Sequence, residues 1–369
     1  MLNYPEAPVE AQRPRLGKAS TLARFTLIGV ALATVVGTFA YFGGWFTPSD
    51  LTPTRFTDAF EQVDGIHSGF RRNHAKGVGV SGFFQSNGQG VRLSKAAVFR
   101  PGSAPVIGRF SLGGGQPDVA DRPDAVRGLG LQFSLPDGEL WRTAMINLPV
   151  FPFSTPEAFY EQLIASKPDP TTGKPDPAKM EAFRARHPES VQAMMVIRGQ
   201  AVSSGFANST FHSLHAFRFI NAAGDAIPVR WLMTPAQPFE AASAAAAVQD
   251  KNYLFDALIA QIHRQPLRWH LIVIVGQPGD PTHDATIPWP EGREKLDVGI
   301  LTLDRVESDE TSAATDINFD PLVLPAGIAP SDDPLLSARS AVYSQSFTRR
   351  AGETKQPSAV TPADVPKGD

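Results

Sequence analysis

The apolar pattern of the chain changes character several times. Residues 25–46 carry no charge, and such a run satisfies the roughly 20 residues that a membrane-crossing helix requires. Leu51, Phe56 and Phe60 then stand among polar neighbours and predict a short amphipathic helix over residues 50–62. From residue 78 to 153 short apolar segments alternate with turns: Gly-Val-Ser-Gly-Phe-Phe, Ala-Ala-Val-Phe-Arg, Val-Ile-Gly-Arg-Phe-Ser-Leu, Gly-Leu-Gly-Leu-Gln-Phe and Ile-Asn-Leu-Pro-Val-Phe. Gly113–Asp118 and Pro136-Asp-Gly138 supply turn chemistry between them. This rhythm predicts an antiparallel sheet closing into a barrel.

Helical spacing appears at residues 155–166 and 178–197, with Pro156 suited to a first helical turn. The intervening stretch Lys167–Pro177 reads as a surface loop. Strand patterns resume at 215–221 and 227–233, around a hairpin turn at Asn221–Asp225. An Ala-rich helix is expected around 239–263, then strands at 269–275 and near 298–306. Residues 351–369 are polar and Pro-containing, and are expected to be disordered. The fold class is α+β, with one folded domain over residues 50–350.

Arg13, Arg15, Lys18 and Arg24 precede the apolar run, and Asp50 is the first charge after it. The positive-inside rule makes 1–24 a basic cytoplasmic tail and 25–46 a transmembrane anchor, with Tyr41, Phe42, Trp45 and Phe46 at the far interface. A cleavable signal segment is the alternative. Both readings export the folded domain. They imply a single-pass inner-membrane protein with its domain in the periplasm or outside, or a periplasmic protein if the segment is cleaved.

Composition narrows the chemistry. The 369 residues are 42% apolar and 19% charged, as in folded globular proteins. A net charge of −3 gives no reason to expect nucleic acid as a partner. The absence of cysteine excludes thiol catalysis, disulfides, iron–sulfur clusters and thiolate-ligated haem.

Two stretches carry candidate chemistry. In the first, Phe70 to Phe84, bases surround His74 and lead into a glycine-punctuated strand. The second runs from Leu335 to Arg350; on a helix its Arg339 and Tyr343 form an i, i+4 pair. A guanidinium beside a phenol oxygen favours the ionised ring, and a phenolate is a hard ligand for ferric haem.

The order Arg71-x-x-His74-Ala75-Lys76-Gly77 resembles the distal-histidine motif of the haem catalases. Arg109-Phe-Ser111, Arg127 to Phe133, Asn147-Leu-Pro-Val-Phe151, and Phe319-Asp-Pro through Gly327 to Pro330 before Arg339-x-x-x-Tyr343 resemble later segments of that family, in its order. The resemblance covers residues 65–350 and is nearest to the small catalase-related peroxidases, which retain little beyond the haem-binding barrel. It implies haem b, with Tyr343 as axial iron ligand, Arg339 as its charge partner, and Arg71, Arg109 and Arg350 on the propionates. It also implies His74 as the acid/base toward peroxide and Ser111 as the group fixing its tautomer. His215 matches a family histidine, without a catalytic role.

Two positions depart from the family pattern. Catalases carry paired asparagines before Thr-Pro, the first of which assists peroxide. Here that first position is Ile146, so Asn147 takes the role only if the loop shifts by one residue. The residue before the distal histidine is Asn73, whose amide would face peroxide. These departures favour a peroxidase that reduces hydrogen peroxide or organic hydroperoxides with an external electron donor, with weak or no catalase activity. The alternatives are a haem hydroperoxide isomerase or dehydratase resembling allene oxide synthase, and a haem-binding protein without turnover. The expected partners are peroxide, an unidentified electron donor, the membrane and, as an open option, further copies of the chain.

Overall fold

The computed structural model describes residues 18–42, 50–243 and 251–364. It divides into two units, residues 1–52 and residues 53–369.

The first unit contains helix α1, Lys18–Phe42, within which Thr21–Tyr41 is long and apolar enough to cross a membrane. A signal sequence passes the same test. Thr26, Thr34 and Thr38 each donate their hydroxyl to the carbonyl four residues earlier. Their polarity is thereby met inside the helix. The helix begins earlier than the charge-free run, so Lys18 and Arg24 lie on it. Trp45, Phe46 and most of the basic tail lie outside the described residues.

The second unit is built on ten antiparallel strands: β1 Gly77–Ser86, β2 Gly102–Leu112, β3 Arg127–Ser134, β4 Leu140–Ile146, β5 Phe211–His212, β6 Phe217–Ile220, β7 Ala226–Pro235, β8 Leu267–Val275, β9 Lys295–Glu307 and β10 Ile328–Pro330. Their order is β10-β6-β7-β5-β4-β3-β2-β1-β9-β8, and β7 also pairs with β8. That pairing closes eight strands into a barrel and leaves β6 and β10 as a flap on β7. Closure removes the open edges that would otherwise expose unpaired backbone.

The barrel is a filled core. Phe84, Phe110, Phe133, Trp141, Phe211, Trp231 and Trp269 are almost completely buried. Indole N–H groups taken into such a core need acceptors. Trp231 donates to Thr143 Oγ1 at 3.1 Å and Trp269 to the Ser209 carbonyl at 3.2 Å.

Helices lie around the barrel: α2 Pro53–Asp64, α3 Pro156–Ala165, α4 Pro177–Arg186, α5 Pro188–Arg198, α6 Tyr253–Arg264 and α7 Pro334–Ala351. Phe56 of α2 meets Phe159 of α3 edge-on, with ring centres 5.2 Å apart. α6 buries Leu254, Phe255, Leu258, Ile259 and Ile262, one face at helical spacing.

Several local expectations needed correction. The helix expected over 178–197 is two helices, because the N–H-less Pro188 ends α4 and starts α5. Ala97–Phe99 forms a 3-10 turn and not a strand. The fourth strand is β4, whose alternating burial lies upstream of the Ile146–Phe151 segment expected to be one. The helix expected around 239–263 occupies only its second half, and residues 244–250 lie outside the described set. The segment after α7, expected to be disordered, is fastened down through its described part. Glu353 takes a hydrogen bond from Arg72 Nη1 at 2.8 Å, Asn252 donates to the Ala359 carbonyl at 3.1 Å, and Val360 is buried.

Candidate functional site

Beside the barrel lies a cavity of about 680 Å³, lined by His74, Asn73 and Ser111, by Arg71, Arg109 and Arg350, and by Arg339 and Tyr343. Its remaining wall is largely apolar and includes Ala144, Met145, Ile146, Leu148, Phe151, Phe159, Phe319 and Leu335. Segments nearly 270 residues apart in the chain therefore meet around one space.

The His74 side rests on loops and strand ends. His74 adopts a left-handed backbone, φ 59°, a conformation that a non-glycine residue holds only when its surroundings enforce it. Three constraints do so. Asn73 Oδ1 accepts from the His74 N–H at 2.9 Å and the Gly114 N–H at 2.8 Å. The Gly114 carbonyl accepts from the Ala75 N–H at 3.0 Å. Arg109 Nη1 donates to the His74 carbonyl at 2.8 Å, and Nη2 to the Ala75 carbonyl at 3.0 Å. The Asn73 side-chain oxygen is thus committed to backbone and does not face the cavity as a free acceptor.

The imidazole itself meets Ser111 Oγ through Nδ1 at 3.0 Å. Ser111 reaches it from the end of β2, where Gly77 of β1 is its cross-strand partner. With Nδ1 so occupied, Nε2 is the nitrogen free to exchange a proton. Desolvation pushes the His74 pKa down to about 3, helped by the charges of Arg109, Arg339 and Arg71. The ring is therefore neutral across the physiological range. Room for it depends on Gly128 of β3: a Cβ there would stand 2.7 Å from Ser111 Oγ and 3.0 Å from His74 Nδ1. Gly130, two residues on, does the same for the Phe319 ring, which a Cβ would approach to 2.8 Å.

The opposite side is a single helix. Asp333 caps α7 by accepting from the Leu335 N–H at 2.9 Å, and Pro334 occupies the first turn, where no N–H is required. Arg339 and Tyr343 then fall on one face. Arg339 Nη2 donates to Tyr343 Oη at 3.1 Å and to the Ala144 carbonyl of β4 at 3.2 Å. That second bond ties the Arg–Tyr pair to the barrel. His215 stands behind this side, fully buried, with Nδ1 2.7 Å from Asp333 Oδ2; it is not among the residues lining the cavity.

At one end of the cavity Arg71, Arg109 and Arg350 gather near Asp309, which pairs with Arg109 at 2.6 Å. Arg71 Nη2 donates to the carbonyls of Ala314 at 2.9 Å and Ile317 at 3.1 Å. Arg350 Nη2 is buried and has no hydrogen-bond partner. Burial, together with the positive charge of Arg109, pushes the Arg350 pKa down to about 10 despite Asp309. A buried guanidinium nitrogen left without a partner is costly, and a carboxylate is the kind of group that would satisfy it.

The structure brings together His74, Ser111, Arg71, Arg109, Arg339, Tyr343 and Arg350, all singled out in the sequence. It does not bring Asn147. Its N–H donates to the Arg127 carbonyl at 3.0 Å, and its Oδ1 accepts from the Arg127 N–H at 2.8 Å. The side chain thus extends the β3–β4 ladder and is absent from the cavity wall, where Ile146 stands instead. Sequence reasoning missed Asp309, Phe319 and Gly128 as parts of the site. Gly128 and Phe319 lay inside segments already singled out by resemblance, and Asp309 lay in none. Among the described residues no cluster of histidines and carboxylates is suited to a metal ion.

Comparison with known proteins agrees with this geometry. The catalase family profile matches residues 48–363. The chain is 39% identical to a catalase-related peroxidase of Synechococcus elongatus, over 88% of this chain and 96% of that protein. It is 33% identical to a catalase-related peroxidase of Mycolicibacterium paratuberculosis, over 82% and 96%. Against the catalase of Rattus norvegicus identity is 29%, and the match spans 59% of that longer protein. Among solved structures, a bacterial catalase superposes with a TM-score of 0.69 at 23% identity, over 82% of this chain and 60% of that one. Catalase A of Saccharomyces cerevisiae superposes at 0.70 with 21% identity, over 78% and 62%. At that identity the superpositions speak for fold alone. With the family profile spanning most of its length and two small relatives matched almost end to end, the chain belongs to the catalase family, among its catalase-related peroxidases, and is a peroxide oxidoreductase.

Proposed function

We propose that this protein is a haem b peroxidase that reduces hydrogen peroxide or organic hydroperoxides with electrons from an external donor, with weak or no catalase activity. The observation that carries the reading is the single cavity joining His74 to Tyr343, with Arg350 Nη2 buried and unpartnered at its end. A flat, largely apolar dianion suits such a space. Its apolar faces would meet Ala144, Met145, Leu335 and Phe319, and its carboxylates the arginine corner. Tyr343 Oη would ligate the iron, and Arg339, which donates to that oxygen at 3.1 Å, would orient it.

When bound, haem would supply the electron reservoir and Lewis acid that peroxide cleavage needs. The chain's own residues would supply positioning and proton transfer. His74, neutral and with Nδ1 held by Ser111, would accept a proton from one peroxide oxygen at Nε2 and return it to the departing oxygen. Ile146, Leu148 and Phe151 would keep water away and offer an apolar surface to an organic hydroperoxide. With the Asn147 side chain bonded to the Arg127 backbone, no amide from that loop assists, which supports slow disproportionation and reliance on a reductant.

The test is turnover of hydrogen peroxide and of an alkyl hydroperoxide, with and without a one-electron donor, for wild type and His74→Ala loaded with equal haem. Donor-dependent reduction that collapses in His74→Ala is expected, and equal rates would remove His74 from the chemistry. The apolar Ile146 position also favours a second reading, isomerisation of a fatty-acid hydroperoxide, which would yield product without any donor. We further propose that α1 anchors the enzyme in the inner membrane with the barrel on its outer side.

A further inference from the structure

The three arginines at the end of the cavity are not equivalent. Four of the five N–H groups of Arg109 are committed to protein acceptors: the two oxygens of Asp309 and the carbonyls of His74 and Ala75. Arg71 spends one nitrogen on backbone carbonyls, and Arg350 has a buried nitrogen with no partner. We propose that Asp309 is a positioning residue for the histidine loop. It fixes the Arg109 fork, Arg109 fixes the carbonyls of His74 and Ala75, and Arg71 and Arg350 are left to receive the carboxylates of the cofactor. The proposal rests on the reading that His74 handles peroxide.

Several features converge on it. Asp309 lies just beyond β9 and contacts Arg109 Nε at 2.9 Å and Nη2 at 2.6 Å, a two-point grip that sets the plane of the guanidinium. The guanidinium packs against Gly77, where an added Cβ would overlap its central carbon. The fork therefore has one seat, between a glycine and a carboxylate. From that seat it reaches two successive carbonyls of a loop whose histidine is held at φ 59°. The Asp309 carboxyl stays charged: burial pushes its pKa up, but the charges of Arg109, Arg71 and Arg350 outweigh it and hold it below the usual range.

Asp309→Asn in the full chain tests this, since it keeps the size and removes the two-oxygen grip. In the haem-free protein, deuterium uptake by the peptide over residues 71–77 should quicken about tenfold, while uptake by β3 stays unchanged. In the haem-loaded protein, the rate constant for reaction with peroxide should fall about 10²-fold, because the imidazole loses its aim. The KM for the reductant and the haem titration midpoint should stay within about threefold, as the carboxylate receivers are intact. Asp309→Glu should recover part of the peroxide rate. If Asp309→Asn does not fold, Asp309→Ser, which also lacks the two-oxygen grip, should reproduce the same pattern. Unchanged uptake at residues 71–77 overturns the proposal, as does a haem affinity that falls further than the peroxide rate. A wild type that ignores peroxide would defeat the functional reading instead, and the uptake measurement would still decide the role of Asp309.

Discussion

The two walls of the cavity are held in contrasting ways. The Tyr343 wall is one helix with a capped start, and its two key residues are four positions apart. The His74 wall is gathered from the 71–77 loop, from β2 through Arg109 and Ser111, from Gly128 of β3 and from Asp309 beyond β9. A local wall tolerates distant change, because the helix supplies its own hydrogen bonds. A gathered wall depends on close approaches and long-range polar contacts, so small alterations far from His74 should reach it. On the proposed function the chemistry would divide along the same line, with the helix supplying the iron ligand and the gathered loop handling the proton.

Substitutions can break that contrast, beginning with the largest effect. His74→Ala should lower the peroxide rate about 10²- to 10⁴-fold, the range for loss of a positioned acid/base, with haem retained. Stopped-flow mixing with peroxide measures it, and an unchanged rate would mean the gathered wall performs no chemistry. Gly128→Ala should cost about 10²-fold in the same assay, since its methyl drives into Ser111 and His74. Overpacking there should also cost about 1–3 kcal/mol in denaturant melts. If activity is untouched, the wall is more yielding than its contacts suggest.

The pH dependence sharpens the comparison further. His74 is held neutral down to about pH 3, whereas the ordinary value is 6.5. The peroxide rate should therefore show no break near pH 6.5, where an exposed histidine would titrate. Stability should respond instead. Between those two values the unfolded chain binds more protons at this residue than the folded one, so stability rises with pH through the window and is lost as pH falls from 6.5 toward 3. His212, pushed down to about 4 by burial, and His215, lowered chiefly by burial, act with the same sign. Thermal melts across this range check the direction.

The smallest effect is expected at Asn147. Asn147→Ala should leave the peroxide rate within about threefold and cost roughly 1 kcal/mol of stability for one hydrogen bond to the Arg127 N–H. Ile146→Asn, which restores an amide to the cavity wall, should raise disproportionation in an oxygen-evolution assay. A large loss in Asn147→Ala would show that the loop does turn its amide inward.

How far each wall could be read in the sequence follows from how it is held. Arg339 and Tyr343 were legible because an i, i+4 pair is a local pattern and the segment leading to it resembles the family's. His74 and Ser111 were legible through the family resemblance of the segments Arg71–Gly77 and Arg109–Ser111. Asp309 was not, because it meets Arg109 across 200 residues of chain and no spacing encodes a contact of that range. Asn147 was misplaced for a related reason. At a strand end a single residue decides which face a side chain takes, and the β3–β4 register turns Ile146, not Asn147, toward the cavity. The barrel came through because strand alternation and turn residues are local. The split of α4 from α5 was missed although Pro188 stood in plain view.

The central claim is that Tyr343 holds haem opposite His74. It is tested most directly by the absorption spectrum of haem-loaded wild type and Tyr343→Phe, before and after hydrogen peroxide. The account predicts a tyrosinate-ligated ferric spectrum in wild type that changes on adding peroxide. In Tyr343→Phe haem should be held more weakly and its bands displaced. Superimposable spectra from the two proteins would contradict axial ligation by Tyr343, and with it the assignment of the cavity.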